Sequence, residues 1–188
     1  MQSKEESALT RRYFMLVGAA SFVQPALASQ LADALRQGGV LLLRHAATEP
    51  GIGDPDGFRL GQCATQRNLS EQGRLQAQSI GAWFRKQGLQ PTAVRSSQWC
   101  RCQDTARLAF GDYQDWPALN STFAGQGNHA EQMRVLRKAL QQLPAQALEV
   151  WVTHQVMMTG LSGAYPAMGE GFAVNARGEV MSRGMMGD

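Results

Sequence analysis

Gly38-Gly39-Val40-Leu41-Leu42-Leu43-Arg44-His45-Ala46-Ala47-Thr48 is the stretch on which the fold turns. Val40 to Leu43 form an unbroken apolar run, with two glycines before it and charge after it. A run this short with no polar side reads as a strand buried on both faces. Such strands belong to mainly parallel sheets with helices packed on each side.

Outward from this strand the chain alternates as such a sheet requires. From Glu49 to Asn68 no period holds, and Gly51, Gly53, Pro55, Gly57 and Gly61 break any element. A loop of that length in a compact domain is functional or disordered. Ser70 reads as an N-cap, followed by Gly73, Ala77, Ile80 and Phe84 at helical spacing and by Gly88 as a stop. Thr92 to Ser96 is a short strand, with Ser97 as N-cap of a helix closing at Gly111. Asn128 caps a helix marked by Met133, Leu136, Leu140 and Leu143 and stopped by Pro144. Leu148 to Thr153 is a second apolar strand, Gln155 to Leu161 a helix, and residues 172–181 a hairpin around 175–178. The expected fold is a three-layer α/β/α domain with a mainly parallel sheet.

In such sheets ligands bind beyond the carboxyl ends of the strands. His45 lies just past the first strand and His154 just past the strand at 148–153, so one rule places both at the same edge. The Ser96-Ser97 turn brings Arg101 to that edge as well. His129 has no strand behind it and is read as outside the site.

Composition bounds the classes available. A chain of 188 residues, 44% hydrophobic and 18% charged, suits one globular domain. No stretch approaches the ~20 apolar residues of a membrane span. A net charge of +3, evenly spread, is no nucleic-acid footprint. With no C-x-x-C and no H-x-x-x-H, the chain carries no zinc pattern, and no metal is expected. Three cysteines leave at least one unpaired. Cys100 and Cys102 diverge on one helix; Cys63 could pair with either, or all three could be buried thiols.

The N-terminus reads separately. Thr10-Arg11-Arg12-Tyr13-Phe14-Met15-Leu16 opens an apolar run to Val23, and Ala26-Leu27-Ala28 follows. Basic, apolar and small-residue segments in that order make a secretory signal, and the paired arginines resemble the twin-arginine export motif. The other reading is a disordered tail followed by an amphipathic helix. The signal reading divides the chain into 1–28, handed to the twin-arginine export machinery, and a nearly neutral domain at 29–188, placed in the periplasm or otherwise exported.

Four segments then carry a resemblance. Leu41-Leu42-Leu43-Arg44-His45-Ala46-Ala47-Thr48 looks like the L-x-R-H-x-x-T signature of the histidine phosphatase superfamily, the phosphoglycerate-mutase-like fold. Leu69-Ser70-Glu71-Gln72-Gly73 resembles its L-[ST]-x-x-G helix start. Ser96-Ser97, Arg101 and Thr105 resemble its S-S-x-x-x-R-x-x-x-T segment, and Val150 to His154 its later strand with the second histidine. The resemblance implies a phosphomonoester hydrolase without a cofactor. His45 would be the phosphorylated nucleophile; Arg44, Arg101 and His154 would form the phosphate pocket, with Thr48 as an additional contact. The residue types suit the chemistry, since a neutral imidazole can attack phosphorus while guanidinium forks neutralise the equatorial oxygens.

The pattern also has departures. Ala46 replaces the usual glycine, Gly51 stands where an asparagine is common, and Ser121 occupies the position of the family's glutamate proton donor. Glu131 is one candidate general acid, although it also fits the N3 position of a capping box. Glu49, Asp54, Asp56 and Glu170 are its rivals. Arg59 and Arg67 in the long loop would shape the leaving-group pocket. The expected substrate is a small-molecule or envelope phosphomonoester. A phosphohistidine phosphatase needs no such acid, and a mutase needs a cover that the 17 residues from Asp112 to Asn128 leave little room for. A non-catalytic phospholigand-binding protein is the reading from another class.

Overall fold

The computed structural model describes residues 24–187. The strands are β1 (Gly39–Arg44), β2 (Ala93–Ser96), β3 (Gln114–Asp115), β4 (Leu148–Thr153), β5 (Glu170–Val174) and β6 (Val180–Met185). They form one sheet in the order β3-β2-β4-β1-β5-β6. Neighbours from β3 to β1 are parallel, whereas β5 pairs antiparallel with β1 and returns to β6 as the expected hairpin.

β1 is buried on both faces, as its composition requires. Leu41 and Leu43 join Ile80, Phe84, Val150 and Val152 in one core layer. Val40 and Leu42 point the other way, to Leu136, Leu140, Trp151 and Met157. The first layer is roofed by α1 (Gln24–Arg36), α2 (Glu71–Lys86) and α3 (Cys100–Phe110); the second by α4 (His129–Gln141) and α5 (Gln155–Ser162). Removing one such leucine side chain would cost about 2–5 kcal/mol. The three-layer α/β/α arrangement stands.

Local chemistry explains the helix ends. Ser70 caps α2 by accepting from the Gly73 amide, and Asn128 caps α4 by accepting from the Glu131 amide. Gly73 and Gly81 let α2 dock backbone to backbone. A Cβ at Gly73 would lie 1.8 Å from the Ala47 carbonyl oxygen, and one at Gly81 2.2 Å from that of Ala109. Ser97 is not the cap of α3, which begins at Cys100 after Trp99. Its hydroxyl is engaged with His154 and Asn120 instead.

Cys63 pairs with Cys100, and Cys102 remains a buried thiol. The bond ties the 49–68 loop to the start of α3. Among the described residues no helix is long and apolar enough to cross a membrane. The twin-arginine-like segment lies outside the described residues. The cleavage position after Ala28 falls within α1, whose buried Leu31 and Leu35 lie beyond it.

Candidate active site

The register of the sheet brings the two histidines together. β1 pairs with β4 so that Arg44 faces Thr153, and the His45 amide donates to the Thr153 carbonyl at 3.0 Å. The next residue of each strand is a histidine, and the ring centroids lie 5.5 Å apart. β2 flanks β4 on its other side and ends at Ser96, so α3 starts at the same rim with Arg101 in its first turn. Thr105 fastens α3 to the turn after β1. Its hydroxyl accepts from the Ala46 amide at 3.0 Å and donates to the Arg101 carbonyl at 2.7 Å. Ala46 is fully buried against Leu69 and Ala77, which accounts for a methyl where the family pattern has glycine.

Each imidazole is oriented through one nitrogen. His45 Nδ1 lies 2.9 Å from the Ala46 carbonyl, an acceptor only, so Nδ1 carries the proton and Nε2 keeps its lone pair. Burial, followed by the positive field of Arg101, lowers His45 to about 3. Burial and then Arg101 likewise push His154 well below the ordinary imidazole value. His154 Nε2 lies 2.8 Å from the Ser97 hydroxyl, and its Nδ1 is 3.4 Å from Arg101 Nη2. Cys102 sits beneath it, its Sγ 3.5 Å from Nε2. Burial drives that thiol up to about 12, so it is an inert neighbour and not a second nucleophile.

Both arginines are held through Nη1 and left unpaired at Nε. Arg101 Nη1 pairs with Asp54 at 2.7 Å, both side chains 5% exposed. Arg44 Nη1 donates to the Pro166 carbonyl at 2.9 Å. The Nε atoms of Arg44 and Arg101 are buried without a hydrogen-bond partner in the protein. A buried donor left unpaired costs about 1–3 kcal/mol, and more when charged. Two such donors beside two imidazoles make a cradle that an anion would complete. Burial and then the mutual repulsion of the guanidinium groups lower both Arg44 and Arg67.

Asp54 is the keystone of the loop. Its Oδ1 also accepts from the Arg67 amide at 3.0 Å, and its Oδ2 from Trp99 Nε1 at 2.9 Å. Burial raises this carboxyl, but the hydrogen bonds and charge of Arg101, with those from Arg67 and Trp99, outweigh it and hold it below its usual value. Asp54 is therefore an ionised acceptor and a poor proton donor. Arg67 binds the Gly53 and Gly51 carbonyls and the Thr48 hydroxyl, shaping residues 48–54 around itself.

A cavity of about 910 Å³ opens above these groups. Arg44, His45, Arg101 and His154 line it, together with Arg67. Thr48 does not: it is buried with its hydroxyl committed to Arg67 and Met168. Of the candidate acids, Asp54 and Asp56 reach the wall. Glu131 lies elsewhere, exposed and lowered by its hydrogen bond and ion pair with Arg134, as its capping position suggests. Glu170 is paired with Arg183 and bound by the Ala167 amide, and neither it nor Glu49 lines the cavity. Ser121 does line it, where the family pattern has its proton donor. Arg59 lies off the cavity. His129, read from sequence as outside, stands on its wall with Nδ1 2.9 Å from the Thr122 hydroxyl. It gets there from a helix start, which a rule based on strand ends cannot find. Asp54, a candidate acid from sequence, and Ser97, a candidate cap, take different roles here, as the partners of Arg101 and His154, because long-range packing sets their contacts.

An α/β sheet whose strand ends gather two buried histidines and guanidinium groups with unpaired Nε donors offers a site suited to an oxyanion. The model of the histidine phosphatase superfamily (branch 1) matches residues 40–151. The chain belongs to the histidine phosphatase superfamily. Among solved structures, it is similar to the protein histidine phosphatase SixA complexed with tungstate, at 14% identity and TM-score 0.53, over 79% of this chain and 96% of that one. It is also similar to TTHB049 from Thermus thermophilus, at 19% identity and TM-score 0.56, over 79% and 96%. No curated protein sequence matches it.

Proposed function

We propose that the protein hydrolyses phosphomonoesters through a phosphohistidine on His45. The observation that carries this reading is the pair of guanidinium edges on Arg44 and Arg101 whose Nε donors are buried without partners, in side chains that line one cavity with His45 and its unprotonated Nε2. In this mechanism the phosphoryl group docks on those edges, and the His45 Nε2 lone pair attacks phosphorus in line. The bond to the leaving oxygen breaks as that oxygen takes a proton from solvent entering the cavity mouth. His154, protonated at Nδ1 once the dianion is bound, donates to an equatorial oxygen. Water then attacks the phosphohistidine, releasing inorganic phosphate and restoring neutral His45. Thr48 acts indirectly, by holding Arg67.

Hydrolysis is favoured over transfer because the cavity mouth is open, with Ile52 and Tyr165 exposed on its rim. His45→Ala should reduce phosphate release from an aryl phosphate by at least about a thousandfold while the protein still melts cooperatively. Unchanged turnover would remove the assignment. A phosphohistidine substrate is the second reading. It is favoured by Ser121 at the position of the proton donor, because a phosphoramidate leaves with little help. Faster turnover of phosphohistidine than of any oxygen ester would select it. Vanadate binding without turnover of any of these compounds would instead mark a phospholigand-binding protein.

The site of action is proposed to be the periplasm or another exported location, on an envelope or small-molecule ester. The Cys63–Cys100 disulfide supports this, since such bonds persist in oxidising compartments. Replacing Arg11 and Arg12 together by lysine should retain the protein inside the cell; unaltered export would reject the twin-arginine reading.

A further inference from the structure

We propose that the outer part of the cavity takes an uncharged aromatic alcohol, so that the substrate is an aryl monoester. This rests on the phosphatase reading above and adds the class of leaving group.

The guanidinium charge is confined to the floor. Arg44, Arg67 and Arg101 are the arginines lining the cavity, and no lysine among the described residues lines it. The outer wall instead presents the carboxylate of Asp56. A second phosphate or a carboxylate on the leaving group would meet like charge there and find no lysine or arginine.

The outer wall is also apolar to a degree that solvent alone does not favour. Ile52 is 90% exposed, Tyr165 70% and Phe123 49%, and all three face this one cavity. Phe58 lies inside it, its ring 5.7 Å from that of Trp99. Exposed apolar side chains scattered singly are ordinary, but a group around one concavity marks a binding surface. Phe123 is moreover held in place. A Cβ on Gly53 would come within 3.3 Å of its ring, and the next residue, Ala124, adopts the left-handed conformation at φ 57°. A non-glycine residue held there is strained, and such strain gathers at functional sites.

The leaving oxygen points the same way. The proton-donor position is Ser121, and Asp54 is ionised and locked to Arg101. A phenolic oxygen departs with little protonation, whereas an alkoxide needs an acid. An aromatic alcohol thus suits the apolar wall and asks little of any proton donor.

Phosphonates separate binding from turnover. Inhibition constants should be measured for methylphosphonate, benzylphosphonate and 2-carboxyethylphosphonate, with phenyl phosphate turnover followed in parallel. Benzylphosphonate should bind about tenfold or more tighter than methylphosphonate, and 2-carboxyethylphosphonate more weakly than either. Phe123→Ala and Tyr165→Ala should each shrink the benzyl-to-methyl ratio to about threefold or less, with thermal melts reporting that the variants fold. Equal binding of the benzyl and methyl compounds, or tightest binding of the carboxylate, would overturn the inference. Phenyl phosphate turnover without benzyl selectivity rejects the aromatic pocket and keeps the hydrolase. Benzyl selectivity with no turnover keeps the pocket and rejects the hydrolase.

Discussion

At His45 one nitrogen is committed to a backbone carbonyl and the other faces the guanidinium cradle, and burial keeps the ring neutral. Asp54 performs the matching task for Arg101, fixing its Nη1 so that the opposite edge points inward. Asp54→Asn removes the charge that balances this buried arginine. It should lower kcat/KM by about ten- to a hundredfold, measured on an aryl phosphate, with KM rising because the cradle loosens. The histidines also set a pH dependence of stability. The folded-state value of His45, about 3, lies below that of the unfolded chain, so between about 3 and 6.5 the unfolded chain binds a proton that the folded one refuses, and the lowered His154 acts in the same direction. Stability is therefore complete above that window and falls as pH drops through it, by up to about 1.4 kcal/mol per pH unit for His45. The depressed Asp54 carboxyl adds to the loss in the same direction, at more acidic pH. Denaturant melts at pH 7 and pH 5 should show this slope, and saturating phosphate should flatten it. A slope that phosphate leaves untouched would place the titrating groups elsewhere.

Among the elements, α2 and the loop before it decide whether the cradle holds its shape. Gly73 brings the start of α2 against the turn that carries His45. Gly73→Ala drives a methyl into the Ala47 carbonyl, and should cost more than the 1–3 kcal/mol typical of overpacking and depress turnover with it. A chemical melt and an activity assay on the same sample would check both. The Cys63–Cys100 bond holds the loop that delivers Asp54 and Arg67. Cys63→Ser with Cys100→Ser should lower stability by about 2–4 kcal/mol and weaken vanadate binding, seen by titration in parallel with the unaltered protein. Equal vanadate affinity would mean that the loop is placed without the bond. At this scale much was legible in the sequence: capping by Ser70 and Asn128, the buried strands and the hairpin all follow from local pattern. The start of α3 was not, because Ser97 looks like a cap locally and is drawn away by His154, which is 57 residues distant.

For the whole molecule, the meeting of β1 and β4 ends was readable because parallel strands share a direction and ligands gather at their carboxyl ends. Arg44, His45, Arg101 and His154 do line one cavity. What sequence could not supply were contacts closed by the long loop and by the start of α4. The Asp54–Arg101 pair spans 47 residues, and His129 reaches the wall from a helix cap. Sequence left five carboxylates open as proton donor for the same reason: their partners, not their spacing, decide their state, and of the five Asp54 and Asp56 line the cavity. The most direct test is to quench the protein within milliseconds of mixing it with a phosphoryl-labelled aryl phosphate and locate the label. An acid-labile phosphoryl group on His45, absent in His45→Ala, is the expected result. Turnover with no label, or with the label on any other residue, would contradict the phosphohistidine mechanism.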